Sequence, residues 1–186
     1  MNQSMHVNPR ISEMKFGEIY FWTATINQWQ HLLHNNLYKE VIISSLSELS
    51  HRRLIDVFAF VIMPNHIHLI WRLNLMNGKE NPKSSFLKYT AHQFKRLILA
   101  TEPHNLQRFY VIAENKQYEF WQRDPMAIIL YSKKVILQKL SYIHNNPLAS
   151  HWQLAKEPCD YKYSSASFYE MNNMEFEFLK DIRVEF

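Results

Sequence analysis

His66 and His68 flank Ile67, and the three follow directly on Met63-Pro64-Asn65. An apolar run, Val57 to Ile62, leads into Pro64-Asn65, a pair that favours a turn. The stretch from His66 to Arg72 then alternates in residue type. On a β-strand successive side chains point to opposite faces, which puts Ile67, Leu69 and Trp71 on one side and His66, His68 and Ile70 on the other. Two residues of strand advance only about 6.6 Å, so both imidazoles can converge on one ion between them. A histidine pair so placed is a candidate metal site. The plainer alternative is one histidine bonded to a carbonyl and the other solvated.

Tyr142 and Asn146 form the second group. Ser132 is suited to cap a helix running to about Asn145, and Pro147 ends it. Ile136, Leu140 and Ile143 make its buried stripe. At about 100° per residue Tyr142 stands roughly 120° from Ile136, on the flank of that stripe. Asn146 falls one turn further along the same face. Its amide oxygen is a candidate ligand if helical geometry continues that far. Alone, the two residues read equally as a half-buried aromatic and a helix-ending asparagine.

The elements that must position these groups are legible in part. Glu18 to Ile26, rich in aromatics and threonine, reads as a strand. Residues 37–50 carry Leu37, Val41, Ile42, Leu46 and Leu49 at helical spacing. Leu54 to Ile62 and His66 to Arg72 are two strands close enough to pair antiparallel. Ser84 or Ser85 can cap a helix reaching about Ala100, with Leu87, Ala91, Phe94 and Ile98 as its apolar stripe. Its other face holds Lys88, His92 and Lys95, with Arg96 beside them; such a face is either solvated or set against phosphates. Residues 101–124 read as irregular, with Trp121 a core residue. Met126 to Tyr131 is a further strand.

The order strand, helix, strand, strand, helix, strand is that of the ferredoxin-like split unit. The expected fold is therefore α+β: a βαββαβ antiparallel sheet with helices on one face, plus an additional helix bearing Tyr142 and a C-terminal extension. Residues 1–15 are expected to be a flexible tail, 16–170 the domain, and 171–186 a C-terminal tail that wraps it.

Composition narrows the classes further. The chain of 186 residues is 47% hydrophobic and 20% charged, as expected of one globular domain with a sizeable core. A single cysteine, Cys159, excludes an intrachain disulfide and a zinc ribbon. Two glycines exclude a Walker loop and a dinucleotide fingerprint. Neither a signal peptide nor an apolar run long enough for a membrane span is apparent, so a cytoplasmic location with no membrane partner is expected. The net charge of +4 suits a polyanionic partner without requiring one.

Taken together, Met63 to Ile70 and Tyr-Ile-His-Asn-Asn-Pro at 142–147 resemble the single-tyrosine HUH transposases, and among them the REP-associated tyrosine transposases. The resemblance runs from about Gly17 to about Tyr169, and includes Phe-Trp-Gln at 120–122 and Tyr-Ser-Ser at 163–165. It implies that His66 and His68 ligate a divalent metal, Mg²⁺ or Mn²⁺, with Asn146 as third ligand and Tyr142 as nucleophile. It further implies cleavage and rejoining of single-stranded or hairpin DNA through a 5′-phosphotyrosine intermediate. On that reading Lys88, His92, Lys95 and Arg96 contact DNA, and a homodimer is open. Two other readings stand beside it: an HUH endonuclease of replication or plasmid transfer, and a non-catalytic ferredoxin-like nucleic-acid-binding module.

Overall fold

The computed structural model describes residues 13–114 and 116–186. Most of the stretch expected to be an N-terminal tail, residues 1–12, lies outside the described residues. Met14, at its end, is buried in the core.

The chain forms β1 (Ile19–Thr25), α1 (Asn36–His51), β2 (Ile55–Ile62), β3 (His66–Leu73), α2 (Pro82–Thr101), the hairpin β4 (Tyr110–Ala113) and β5 (Lys116–Tyr118), β6 (Met126–Ile129), α3 (Lys133–Asn145) and α4 (Ala166–Met171). The main sheet is antiparallel with strand order β2-β3-β1-β6. With α1 and α2 as its connections, this is the expected βαββαβ arrangement. Among the described residues no helix is long and apolar enough to cross a membrane.

The sheet divides two apolar layers. Tyr20, Trp22, Leu69 and Trp71 pack with Ile42 and Leu46 of α1 and Phe86, Phe94 and Ile98 of α2. Phe21, Ile70 and Phe58 pack on the other side with Ile136, Leu140 and Ile143 of α3. The additional helix therefore covers the face that α1 and α2 leave open, and the molecule has three layers. A shift of register between Val57 and Ala59 makes Phe58 an extra residue in β2. The bulge returns Phe60 to the α1/α2 side while Phe58, Ala59 and Val61 face α3.

Several boundaries differ from expectation for local reasons. Helix α2 starts earlier, because Asn81 accepts a hydrogen bond from the Ser84 amide and Pro82 occupies the first turn. Proline suits that position because its fixed φ and missing N–H cost nothing there. The buried stripe of α2 is accordingly Phe86, Thr90, Phe94 and Ile98, with Leu87 and Ala91 only partly buried. In α1 Leu37 is exposed and Tyr38 is buried in its place. The region read as irregular contains a 3-10 helix, Pro103–Phe109, and the β4–β5 hairpin. Trp121 is core, and its indole N–H donates to Thr90 Oγ1 at 2.9 Å.

β2 is an edge strand, yet every residue in it is buried. Its free edge is covered from two directions. Ser165 N donates to Phe60 O and Ile62 N donates to Tyr163 O, while Lys180 N donates to Val57 O. Phe176, Phe178 and Leu179 then pack into the α1/α2 layer and Ile182 into the α3 layer. Arg72 bonds both Asp56 (2.6 Å) and Glu185 (2.7 Å), and Lys180 pairs with Asp56, so buried charge on β2 is neutralised by the C-terminal segment. The acidic-aromatic terminus is thus the cover of a sheet edge. Leu179→Ala should lower unfolding free energy by about 2–4 kcal/mol in urea titrations, as expected for a cavity at a buried leucine. A change within about 0.5 kcal/mol, typical of surface positions, would refute that packing.

Candidate active site

β3 and α3 meet over the α3 face of the sheet, and there the sequence candidates come together. The rings of His66 and His68 lie 4.7 Å apart between centroids, and that of His68 lies 5.2 Å from Tyr142. Both histidines are buried. Asn146 follows the last residue of α3 with helical φ/ψ (−56°, −43°) and begins a 3-10 turn that runs through Pro147. Helical geometry therefore continues one residue past the regular helix, and Asn146 lines the same cleft as Tyr142 and His66. That cleft measures about 330 Å³ and is completed by Asn145, Ala149, His151 and Trp152.

Hydrogen bonding fixes how the imidazoles present themselves. The Asn65 side-chain amide donates to Trp29 O at 3.4 Å, which turns its Oδ1 toward His66 Nδ1 at 2.7 Å. An amide oxygen only accepts, so Nδ1 of His66 carries the proton and Nε2 keeps its lone pair. His68 Nδ1 lies 2.7 Å from Thr23 Oγ1, across the β1–β3 ladder from its own position. Its Nε2 is buried without a partner, and so is Oδ1 of Asn146. The Thr23 hydroxyl can donate or accept, so Nε2 of His68 offers a lone pair in the tautomer whose proton sits on Nδ1, while Oδ1 of Asn146 is a buried acceptor with no donor, which is expensive. Neither histidine fits the plainer alternative of a carbonyl-bonded and a solvated ring.

Burial holds both rings neutral. It lowers the His66 pKa to about 4, with His151 adding repulsion. It lowers His68 well below the usual histidine value, with His66 and Lys139 reinforcing it. Neutral imidazole is the ligating form. Nitrogens of His66 and His68 with an oxygen of Asn146 make a mixed donor set without thiolate, which suits a divalent cation such as Mn²⁺ or Mg²⁺ better than a thiophilic one. Among the described residues no group of three or more His, Cys, Asp or Glu side chains is placed to hold a metal, so the amide would have to serve as third ligand.

Tyr142 is 48% exposed, its ring edge-on to Phe21 at 5.8 Å. Lys139, one turn earlier on α3, holds its Nζ 5.6 Å from the Tyr142 ring centre and 4.6 Å from that of Phe21. The histidines at 66 and 68, the tyrosine, and the helix end are thus one constellation. The basic group expected to contact DNA is not part of it. Lys88, His92, Lys95 and Arg96 belong to α2, which packs on the opposite side of the sheet. Lys88 pairs with Glu80, and Lys95 lies over the Tyr118 ring at 4.7 Å. Lys139 was missed, although its spacing of three from Tyr142 was readable in the sequence. Thr23 and Trp152 had no such signal, since only strand pairing and the turn after α3 bring them in.

A third buried histidine secures the helix. His144 Nε2 lies 3.0 Å from Ser165 Oγ, and that hydroxyl also bridges the N–H and carbonyl of Phe60 on β2. The Tyr-Ser-Ser run thereby ties α3 to the sheet.

No family model matches the chain, and no curated protein matches it. Among solved structures it is similar to a REP-associated tyrosine transposase bound to a REP hairpin, at 19% identity and a TM-score of 0.57, over 88% of this chain and 83% of that one. A protein from Deinococcus radiodurans R1, provisionally described as a transposase, aligns at 13% identity and a TM-score of 0.42, over 78% of this chain and 97% of that one. The first likeness shows a shared fold over most of both chains.

Burial lowers the pKa of both His66 and His144 to about 4, from the 6.5 of an unperturbed histidine. A group whose folded pKa is depressed stabilises the fold fully above its unfolded value and loses that contribution as pH falls toward the folded one. Each should therefore withdraw about 2 kcal/mol of metal-free stability between pH 7 and pH 5. Urea unfolding should show this loss, and His144→Gln should flatten it. A stability constant over that range would mean the rings are not held neutral by burial.

Proposed function

We propose that the chain is an HUH-type tyrosine transposase that cleaves and rejoins single-stranded DNA. The observation that carries this reading is the meeting of an exposed tyrosine, His66 and an unpartnered amide oxygen in one cleft, with the neutral ring of His68 5.2 Å from that tyrosine. The fold it shares with a hairpin-bound transposase supports the same assignment. A purely structural histidine pair would have both ring nitrogens satisfied, whereas Nε2 of His68 has no partner.

His66, His68 and Asn146 would hold a divalent cation, Mg²⁺ or Mn²⁺. When bound, such an ion withdraws charge from the non-bridging oxygens of a phosphodiester and orients it for in-line displacement. Tyr142 supplies the nucleophile. Its phenolic oxygen attacks the phosphorus, the 3′ oxygen of the preceding nucleotide departs and takes up a proton, and the 5′ phosphate becomes esterified to Tyr142. The phosphodiester count is unchanged, so a second 3′ hydroxyl can displace the tyrosine and join a new strand without ATP. Lys139 contributes positive charge where the phosphate meets the ring. Phe21, packed against both His68 and Tyr142, fixes their spacing. Thr23 and Asn65 hold the ligand rings in register. The half-open cleft admits an unpaired strand, and we expect hairpins with single-stranded flanks to be cleaved and plain duplex not.

Covalent capture tests the nucleophile. With Mn²⁺ and end-labelled single-stranded or hairpin oligonucleotides, the wild-type chain should form an adduct that survives denaturation. Tyr142→Phe should reduce adduct formation by at least about 10³-fold, the scale for loss of a nucleophile, while DNA affinity stays unchanged. Equal capture by the variant would remove Tyr142 from the role, and equal cleavage of duplex would point to a general nuclease.

The ligand set has its own test. EDTA should abolish capture and Mn²⁺ should restore it. Asn65→Ala frees the orientation of His66, and should weaken Mn²⁺ affinity measured by calorimetry about 10- to 100-fold. Full activity in EDTA would favour the non-catalytic binding module.

A further inference from the structure

We infer that the cleft between the start of α1 and the end of α2 binds one unpaired deoxynucleotide of the strand that Tyr142 cleaves. The inference rests on the reading above for the identity of the strand, and on the following geometry for the site.

The cleft measures about 260 Å³ and is lined by Gln30, His31, His34, Tyr38, Asn105 and Arg108, among others. Pockets for drug-sized ligands run from about 300 to 1,000 Å³, so this one suits a single nucleotide unit. It neighbours the catalytic cleft through a ring contact between one lining residue of each. The ring of His66 lies 6.0 Å from Trp152, and Trp152 lies 5.7 Å from His31. A strand with a phosphate at Tyr142 thus passes over Trp152, an aromatic face on which any base can stack, before it meets His31 at the mouth of the second cleft.

The polar atoms inside favour a nucleotide. Gln30 uses one amide N–H on Arg108 O at 2.6 Å, and Asn105 uses one of its own on Glu102. Each amide keeps its oxygen and a second N–H, so the cleft offers acceptors and donors to the edge of a base. The phosphate finds its partners at the rim. The Arg108 guanidinium is exposed and, among the described residues, makes no ion pair, and His34 stands exposed on the same cleft.

The backbone beside the cleft is held for such a purpose. Gln28 and Trp29 both adopt left-handed φ, 55° and 56°, a conformation that costs L-residues about 1–2 kcal/mol each. The turn persists because Trp29 N bonds Ile26 O and Asn27 N bonds Phe120 O, and the Asn65 amide that orients His66 also grips Trp29 O. One strained turn therefore sets both the ligand ring of the catalytic cleft and the position of Gln30 and His31.

Two measurements test the inference independently of catalysis. In ¹⁵N NMR titrations with deoxynucleoside 5′-monophosphates, amides of residues 30–35 and 101–109 should shift. The response should vanish in the double variant His31→Ala/Arg108→Ala, whose amide spectrum elsewhere should stay that of the folded chain. No shift in these segments, or an undiminished response in the variant, overturns the assignment. In the second measurement, single abasic sites are walked along a bound oligonucleotide. One position near the cleavage point should weaken wild-type binding about 5- to 150-fold, the range for losing one stacked base, and this penalty should disappear in the double variant. Adduct formation at Tyr142 with no such position would sink the nucleotide site and leave strand cleavage standing. Nucleotide binding in the cleft without any adduct would keep the site and sink the cleavage reading.

Discussion

Two imidazoles buried 4.7 Å apart are both held in the uncharged form, and the rest of the site follows from that constraint. In water a histidine pair shares its charge with solvent. Between a sheet and a helix it cannot, so each ring must be neutral and each ring nitrogen must find a partner. Thr23 and Asn65 satisfy the two Nδ1 atoms, one across the strand ladder and one from the preceding turn. What they leave is the Nε2 atom of each ring. His68 Nε2 and Asn146 Oδ1 remain buried without partners, and an arrangement of that kind is stable only if its cost is covered by packing elsewhere or by an occupant that bonds them.

That packing comes from the division of labour between the two faces of the sheet. The α1/α2 side is a large aromatic core, with Trp22 and Trp71 at 4.9 Å and Phe86 edge-on to both. It carries stability and holds none of the candidate chemistry. The α3 side is smaller and ends in the polar cleft. Period-2 alternation allows one strand, β3, to serve both layers, since Leu69 and Trp71 enter the first and His66 and His68 the second. The basic face of α2 lies on the other side of the sheet from Tyr142; Lys139 on α3 is the cation beside that ring.

How α3 is fastened matters as much as what it carries. Pro147 closes the helix without unwinding Asn146, because proline is compatible with the first turn of the 3-10 segment that follows. His144, on the buried flank, is joined to Ser165 and through it to the β2 backbone. The residues from 161 onward thus do two things at once. They cover the β2 edge, where Tyr161 and Tyr169 donate to the carbonyls of Ile62 and Phe58, and they pin the helix that presents Tyr142.

The sequence by itself determined those features that arise from local periodicity. Alternation at 66–71 set the faces of β3, spacing at 136, 140 and 143 set the buried side of α3, and the order of elements set the split βαββαβ unit. The pairing of Tyr142 with Asn146 was readable because four residues make one helical turn. Tertiary structure alone decided which face of the sheet α3 would cover, and hence that the histidines and the tyrosine lie side by side while the α2 cations lie across the sheet. It also decided the ring partners Thr23 and Asn65, the Trp152–His31 contact, and the use of the acidic-aromatic terminus as an edge cover. These depend on contacts between residues far apart in the chain, or on a bulge and a left-handed turn that composition does not announce. A strand of Ile, Val and Phe reads as central whether its open edge is filled by another strand or, as here, by residues more than a hundred positions away.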